Sequence, residues 1–320
     1  MAFDKLKVVI IGDIMLDHYS YGQVSRISPE APVPILDFLK SDDRLGGAAN
    51  VALNIKALGA EPILIGTIGN DEHASTIKKL LHQAHIATDY LIHGLNKDRV
   101  TTLKHRIIAQ NHQILRIDTE FNETLNADEM NLLLHLYQKA IGQQVDAIIL
   151  QDYNKGILFP ESIELILETA IKNKIFVAVD PKKHNFFHYK HVNLFKPNAK
   201  EAAEGLNITF DTTRHTDYEK VTKAINQKLN AEHVLLTLGE YGLFMLFNNQ
   251  THHNPATKQS IVDVSGAGDT VISLCTLALC SGMPIEDVLK LANIGAGLVC
   301  QQPGVASVDA KMLWQTFFKD

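Results

Sequence analysis

Short β-branched runs that end in a polar residue, each followed by a helical stretch, recur along almost the whole chain. This alternation constrains the fold more than any other feature. Residues 6–11 run through Val8, Val9, Ile10 and Ile11 into Gly12-Asp13. Residues 62–68, 147–150, 175–180, 192–195 and 234–238 have the same texture. Between them lie helical patterns at 48–58, 71–84, 128–141, 160–173, 199–206 and 218–229, the fourth with Pro160 in its first turn. Proline is favoured there because its missing N–H has no helical partner to lose. Near-continuous apolar strands belong to a sheet covered on both faces. The expected fold class is therefore α/β, a doubly wound, mostly parallel sheet flanked by helices. A hairpin at 243–255 turns at Asn248-Asn249, and two apolar helices at 266–280 and 284–300 are expected to end the ordered core.

Ligands in such folds bind beyond the carboxyl ends of the strands. The polar strand ends Gly12-Asp13, Gln151-Asp152, Asp180-Pro181, Lys196-Pro197-Asn198 and Thr237-Leu238-Gly239 are thus expected along one edge. Two stretches interrupt the alternation, at about 14–43 and about 90–119. Pro29, Pro32 and Pro34 among alternating apolar residues suggest short edge strands and turns in the first. The second has β character at 100–108 and 113–118 around a turn at Gln110-Asn111-His112. Together they are expected to form a small β-rich lid on a single domain spanning residues 1–320.

Residues 261–270 read Ile-Val-Asp-Val-Ser-Gly-Ala-Gly-Asp-Thr before an apolar helix. Small residues at a loop-to-helix junction leave backbone N–H groups unobstructed, and the helix dipole adds to their pull on an anion. Asp269 would repel such an anion unless it has a task of its own. Either it caps the helix, or it takes a proton from a substrate hydroxyl while the amides of Gly266, Ala267 and Gly268 hold a transferring phosphoryl group.

The net charge of −6 and the lack of a long basic run argue against nucleic acid or an anionic membrane as general partners. Cys275, Cys280 and Cys300 lie in apolar stretches without metal-ligand spacing, as reduced core thiols in a cytoplasmic protein would. No signal peptide is expected at the N-terminus. There is no G-x-x-x-x-G-K-[ST] phosphate loop, no complete G-x-G-x-x-G after a strand and no H-E-x-x-H.

Four elements then occur in an ordered series: Gly46-Gly47 with Asn50, Asn198-x-x-Glu201, Thr237-x-Gly239-x-x-Gly242, and Asp263-x-x-Gly266-Ala267-Gly268-Asp269. The chain resembles the ribokinase-like (PfkB) carbohydrate kinases in this series, over nearly its whole length. More narrowly, Gly12–Asp17, the string Ser25-Arg26-Ile27-Ser28-Pro29-Glu30-Ala31-Pro32-Val33-Pro34, and Gly46-Gly47-Ala48-Ala49-Asn50 look like the D-glycero-β-D-manno-heptose 7-phosphate kinases of bacterial ADP-heptose synthesis.

The resemblance implies Asp269 as catalytic base and Gly266, Ala267 and Gly268 as the anion hole. It implies nucleotide contacts at Thr237, Gly239, Gly242, Ser265 and Asn293. Asn198 and Glu201, otherwise readable as a helix cap with an acidic first turn, would order Mg²⁺ through water beside ATP. Asp263 becomes a candidate site for K⁺, although Val264-Ser265 departs from the two threonines of many relatives. On the sugar side stand Asp13, Asp17, Gly47 and Asn50, with Asp152 and Lys155 just beyond a strand. Asp180 and Lys182 either serve the pocket or pair with each other. Lys104, Arg106 and Arg116 either hold the substrate's own phosphate or form a solvated charged edge, with Lys104 and Arg106 on one face of their strand.

The reading is an ATP- and Mg²⁺-dependent kinase for O1 of heptose 7-phosphate, homodimeric through its lid. No H-x-G-H element of an adenylyltransferase is found, so either that later activity is encoded separately or this sequence is the kinase part of a fused enzyme. The alternatives are a kinase for another sugar, such as a fructose phosphate or ribose, and a nucleotide-binding regulator without turnover.

Overall fold

A computed structural model describes residues 3–110, 112–256 and 260–319. Its main sheet has nine strands in the order Gln250–Asn254, Leu243–Phe247, His233–Thr237, Leu194–Phe195, Phe176–Asp180, Ala147–Gln151, Lys7–Gly12, Glu61–Thr67, Leu91–Ile92. Pairing is parallel from Leu91–Ile92 across to His233–Thr237, and only the last two strands add antiparallel. Successive residues feed opposite layers, as the pleat requires. Val8 and Ile10 pack into one apolar core, while Val9 and Ile11 pack into the other. The helix Ala267–Cys280 belongs to the first core; its residues from Asp269 to Ala278 are all buried, which explains its lack of a polar face.

The chain builds outward from Lys7–Gly12 towards Glu61–Thr67, then crosses back to Ala147–Gln151 on the other side. This reversal is the topological switch point, where two loops part and leave a crevice. Asp13 and Gln151 lie beside it, Gly12 being paired in register with Gln151.

A second, four-stranded sheet is formed by Pro34–Gly47, Ile14–Ile27, Thr102–Ala109 and His112–Thr119, in that order. The first interruption is not a set of short edge strands. It is a hairpin of two 14-residue strands paired from Ile14↔Gly47 to Ile27↔Pro34, with register shifts at Tyr21/Gly22 and Val24/Arg26. Pro29 and Pro32 fall in its tip and Pro34 takes the first position of a strand, where a missing N–H costs no ladder bond. Parallel pairing of Ile14–Ile27 with Thr102–Ala109 supplies the second neighbour that keeps so long a strand ordered. The second interruption starts later than expected, because Leu91–Ile92 belongs to the main sheet. Of its expected turn, Gln110 has a positive φ of 50°, and Asn111 lies outside the described residues. The ordered core also continues past Cys300 into a helix, Ala310–Phe317, which docks through fully buried Leu313.

No helix among the described residues is long and apolar enough to cross a membrane.

Candidate active site

The Gly47 and Gly266 backbones define the two sides of the crevice. Gly47 has φ 59°, and a Cβ there would lie 2.3 Å from the Asp13 carbonyl oxygen. The turn before the helix Ala48–Ala57 can therefore touch the end of Lys7–Gly12 only with glycine. Gly266 has φ 82°, and a Cβ would lie 2.9 Å from Asn50 Nδ2. These close approaches bring Asn50 and Asp269, each on the first turn of its helix, into contact.

Asp269 is buried and accepts three hydrogen bonds from neutral donors. Asn50 Nδ2 donates to Oδ2 at 2.7 Å. Gln151 Nε2 and Tyr153 Oη both donate to Oδ1, at 3.0 and 3.1 Å. Burial raises its pKa to about 7; Asn50 and Tyr153 oppose the rise and the Asp180 carboxylate adds to it. Burial and the Asp269 charge push the Tyr153 phenol well above its ordinary value, so it remains a donor. A carboxylate in this state can accept a proton near neutral pH. Of the three loop amides expected to hold an anion, that of Ala267 already donates to the Val264 carbonyl at 3.3 Å.

Asp13 lies across the crevice and its pKa is also raised to about 7, by burial and then by the Asp152 carboxylate. Its Oδ2 accepts from the Tyr153 and Lys155 amides at 2.7 and 3.1 Å. Asp13 Oδ1, Asn50 Oδ1 and Gln151 Oε1 are buried without a hydrogen-bond partner. Unsatisfied buried polar atoms are rare and mark places where a ligand group completes the bonding. Asp152 is elsewhere: it is fully buried, and Tyr189 Oη and Asn185 Nδ2 donate to its Oδ2 at 2.7 and 3.1 Å. Its Oδ1 accepts from the Asn154 amide at 2.8 Å, so both of its oxygens are bonded within the protein.

On the other side of Asp269, a cavity of about 520 Å³ is lined by Asp180, Lys182, Lys196, Asn198, Glu201 and Thr237 among others. Lys196 Nζ lies 2.9 Å from Asp180 Oδ2, with both side chains buried. Lys182 pairs with Glu201 rather than with Asp180. Burial alone would lower the Lys182 pKa, but the Asp180 and Glu201 charges outweigh it and raise it, so the ammonium persists. Asn198 and Glu201 form a reciprocal capping box at the start of Ala199–Leu206, with bonds of 2.8 and 2.9 Å. The cap does not exhaust Glu201, whose other oxygen meets Lys182.

A second cavity of about 510 Å³ adjoins the first and shares Thr237, Gly239, Val264 and Gly268 with it. Leu243, Ile261, Val271 and Ala296 make its wall mainly apolar, with Asn293 as a polar group in it. Gly242 also lines it, and Asn293 Nδ2 donates to Asn254 Oδ1 and the Pro255 carbonyl at 2.6 and 2.7 Å. Ser265 lines neither cavity; its amide donates to Asp263 Oδ1 at 2.9 Å, while Asp263 Oδ2 accepts from the Gly304 amide at 3.0 Å. A charged cavity continuous with an apolar slot, both opening beside a buried carboxylate at a switch point, is a shape that a nucleotide would fit.

A family model described as pfkB family carbohydrate kinase matches residues 5–311. The chain belongs to this family. Similar curated relatives of this pfkB-family chain include the bifunctional protein HldE of Helicobacter pylori (strain HPAG1), 37% identical over 94% of this chain and 64% of the relative. The bifunctional protein HldE of Sulfurimonas denitrificans is likewise 37% identical, over 94% of this chain and 62% of the relative. The chain thus spans less than two-thirds of these relatives' length. Among solved structures, phosphofructokinase-2 from Escherichia coli in complex with potassium superposes with a TM-score of 0.79 at 20% identity, covering 98% of both chains. Arabidopsis thaliana ribokinase complexed with ribose and ATP gives 0.77 at 17% identity, again covering 98% of each. The chain therefore shares the ribokinase-like fold of these neighbours.

On that smaller sheet, the pfkB-family chain sets Arg44, Asp17, Lys104 and Asp118 side by side across four strands. Each expected phosphate-binding cation meets a carboxylate. Arg106 pairs with buried Asp17. Lys104 Nζ lies 3.6 Å from Asp118 and 3.7 Å from Glu120, and Lys155 Nζ is 2.6 Å from Glu120. Arg116 donates to Asp118 at 2.8 and 2.9 Å. Lys104 and Arg106 share a face as the strand period required. Sequence reading named neither Tyr153, Gln151 nor Lys196 as a site residue; their only signal was a place at polar strand ends.

Proposed function

We propose that this chain transfers the γ-phosphoryl group of ATP to O1 of D-glycero-D-manno-heptose 7-phosphate, giving the 1,7-bisphosphate and ADP for ADP-heptose synthesis. One observation carries the reading. Asp269 stands between two half-sites of different chemistry: unsatisfied buried acceptors of Asp13 and Asn50 on one side, and the cavity holding Lys182 and Lys196 on the other. The first suits the hydroxyls of a sugar, the second the phosphates of a nucleotide. Similarity over 94% of the chain to relatives named HldE supports the heptose.

In this mechanism Asp269 removes the proton from O1 as that oxygen forms its bond to the γ-phosphorus, and the bond to the ADP oxygen breaks. Lys182 and Lys196 offset charge on the phosphates, and the Gly268 and Asp269 end of the helix adds its dipole. Thr237, Gly239 and Gly242 border the nucleotide, and Asn293 lies by the apolar slot for its base. Asp17, Gly47 and Asn50 shape the sugar side; Lys104 and Lys155, with Arg106 held by Asp17, face the substrate's own phosphate. Closure of the smaller sheet would exclude water and limit ATP hydrolysis.

Among the described residues no three His, Cys, Asp or Glu side chains converge as a metal cage. Mg²⁺ keeps most of its waters and takes phosphate oxygens as ligands, so Asn198 and Glu201 at the cavity wall suit it through water. When bound it would neutralise charge on the β- and γ-phosphates. Asp263 already accepts from the Ser265 and Gly304 amides, on the segments before and after the two long helices, and a K⁺ ion there would tie these segments together. Exposed Phe38, Leu39, Ile114, Leu115 and Ile117 on the smaller sheet support a homodimer through it. An adenylyltransferase activity would act later in the same synthesis.

A phosphate-transfer assay with heptose 7-phosphate beside fructose 6-phosphate and ribose tests the proposal. The heptose should give the highest kcat/KM. Equal or better transfer to either other sugar would overturn the substrate assignment, and ATP binding without transfer to any would overturn the kinase reading.

A further inference from the structure

Gln151 connects the two halves of the site. Its side chain is buried, and its single amide nitrogen donates to Asp269 Oδ1 at 3.0 Å and to Asp180 Oδ2 at 3.1 Å. The orientation follows from the chemistry of the ionised site: turned over, the carbonyl oxygen would face two acceptor carboxylates whenever Asp269 has lost its proton. Asp180 in turn holds Lys196 at 2.9 Å, and Lys196 lines the cavity proposed for the nucleotide phosphates. The series Lys196, Asp180, Gln151, Asp269 therefore runs without a gap from the phosphate cavity to the base.

The bonding on Asp269 is unequal. Oδ1 accepts from both Gln151 and Tyr153, whereas Oδ2 accepts from Asn50 alone. Two donors occupy the lone pairs of Oδ1 and leave an open one on Oδ2. Gln151 also suits the position through what it lacks. A lysine between the two carboxylates would hold both ionised and weaken the base, and an acid would add a third repelling charge. A primary amide bonds two carboxylates at once without a charge of its own.

Building on the kinase reading above, we infer that Gln151 is a positioning residue. It anchors Oδ1 of Asp269, assigns proton removal to Oδ2, and couples the base to the Asp180 and Lys196 pair beneath the nucleotide. It acts through Asp269 and does not itself take the proton. Asp180, Lys196, Tyr153 and Lys182 are the titratable groups facing the base, and Gln151 lies at their centre.

The test compares Gln151→Leu and Gln151→Asn with the wild type. Leucine keeps the volume and removes the donors, and because Oε1 has no partner it removes no accepted bond. Losing a donor to the ionised carboxylate raises its pKa. Difference infrared titration of the Asp269 carboxylate, referenced to Asp269→Asn, should show a midpoint about one pH unit higher in Gln151→Leu. The acidic limb of kcat/KM should move with it, and kcat should fall roughly 10- to 100-fold with sugar KM changed less than about three-fold. Gln151→Asn, a shorter amide, should keep the midpoint near wild type and recover part of kcat. An unmoved midpoint in Gln151→Leu overturns the inference, even if kcat falls. If Gln151→Leu does not fold, a midpoint in Gln151→Asn displaced as far as about one pH unit overturns it equally. The infrared measurement needs no sugar, so a wild type that phosphorylates nothing in the panel would sink the kinase reading while leaving this result readable.

Discussion

The base region and the smaller sheet both hold carboxylates away from full solvent, but they solvate them in opposite ways. Asp269 and Asp13 are held by neutral amides and a phenol, and burial raises both to about 7. Asp118 and Glu120 have cations for neighbours. Burial alone would raise both, but Arg116 and Lys104 together outweigh it at Asp118, and Lys155 and Lys104 do so at Glu120. Both therefore lie below their ordinary values. Neutral donors orient a carboxylate without extinguishing its basicity, while cations fix the charge of the less buried Asp118 and Glu120. At Asp17 burial outweighs Arg106, Lys104 and Arg116 and still raises the pKa. The first arrangement suits chemistry, and the second suits a framework that opens its ion pairs to an anionic ligand.

The largest effect should follow from removing the basic oxygen. Asp269→Asn should lower kcat by about 10³-fold or more while ATP still binds, read by steady-state kinetics beside calorimetric nucleotide titration. In the wild type, kcat/KM should climb through about pH 7, because the raised carboxyl must lose its proton before it can accept one. Turnover near the wild-type level would return Asp269 to the role of a helix cap.

The ion-paired sheet should instead respond in stability and KM. Arg106→Met strands the buried Asp17 carboxylate, a loss of about 3–5 kcal/mol measurable by denaturant unfolding. A loss under about 1 kcal/mol would mean that Asp17 takes up a proton or solvent instead. Lys104→Met leaves Asp118 with Arg116 and Glu120 with Lys155, so it should scarcely alter stability but should raise KM for the sugar phosphate about ten-fold. An unchanged KM would make Lys104 a solvated edge residue.

The smallest effect sharpens the contrast through pH. A folded-state pKa raised above the unfolded value means that the native protein holds the extra proton. Stability should therefore fall as pH rises from about 4 through about 7. At about pH 8 Asp269→Asn should stabilise the fold by about 1–3 kcal/mol, with little change at about pH 4, as thermal unfolding at the two values would show. Equal melting shifts at both would sink the account of a desolvated base.

Much of the fold was legible because its signals are local. A β-branched run before Gly12-Asp13 or Asp180-Pro181 reads as a buried strand whichever neighbours it finds. The long hairpin was not legible, since Ile14–Ile27 is held as a strand by Thr102–Ala109, a neighbour distant in sequence. The helix Ala310–Phe317 is similarly short and depends on where Leu313 docks.

The same division holds at the site. The ordered motifs Gly46-Gly47, Asn198-x-x-Glu201 and Gly266-Ala267-Gly268-Asp269 carried the resemblance to the kinase family, because glycines at close approaches and a carboxylate at a helix start are written in adjacent residues. Only the tertiary structure decided what surrounds that carboxylate. Gln151 is 118 residues from Asp269 in sequence, and Asn50 is 219. No local pattern marks a glutamine or an asparagine as a donor to a distant acid. Their role arises where parallel strands end together at the switch point, and it is this convergence that turns an ordinary aspartate into one able to accept a proton near neutral pH.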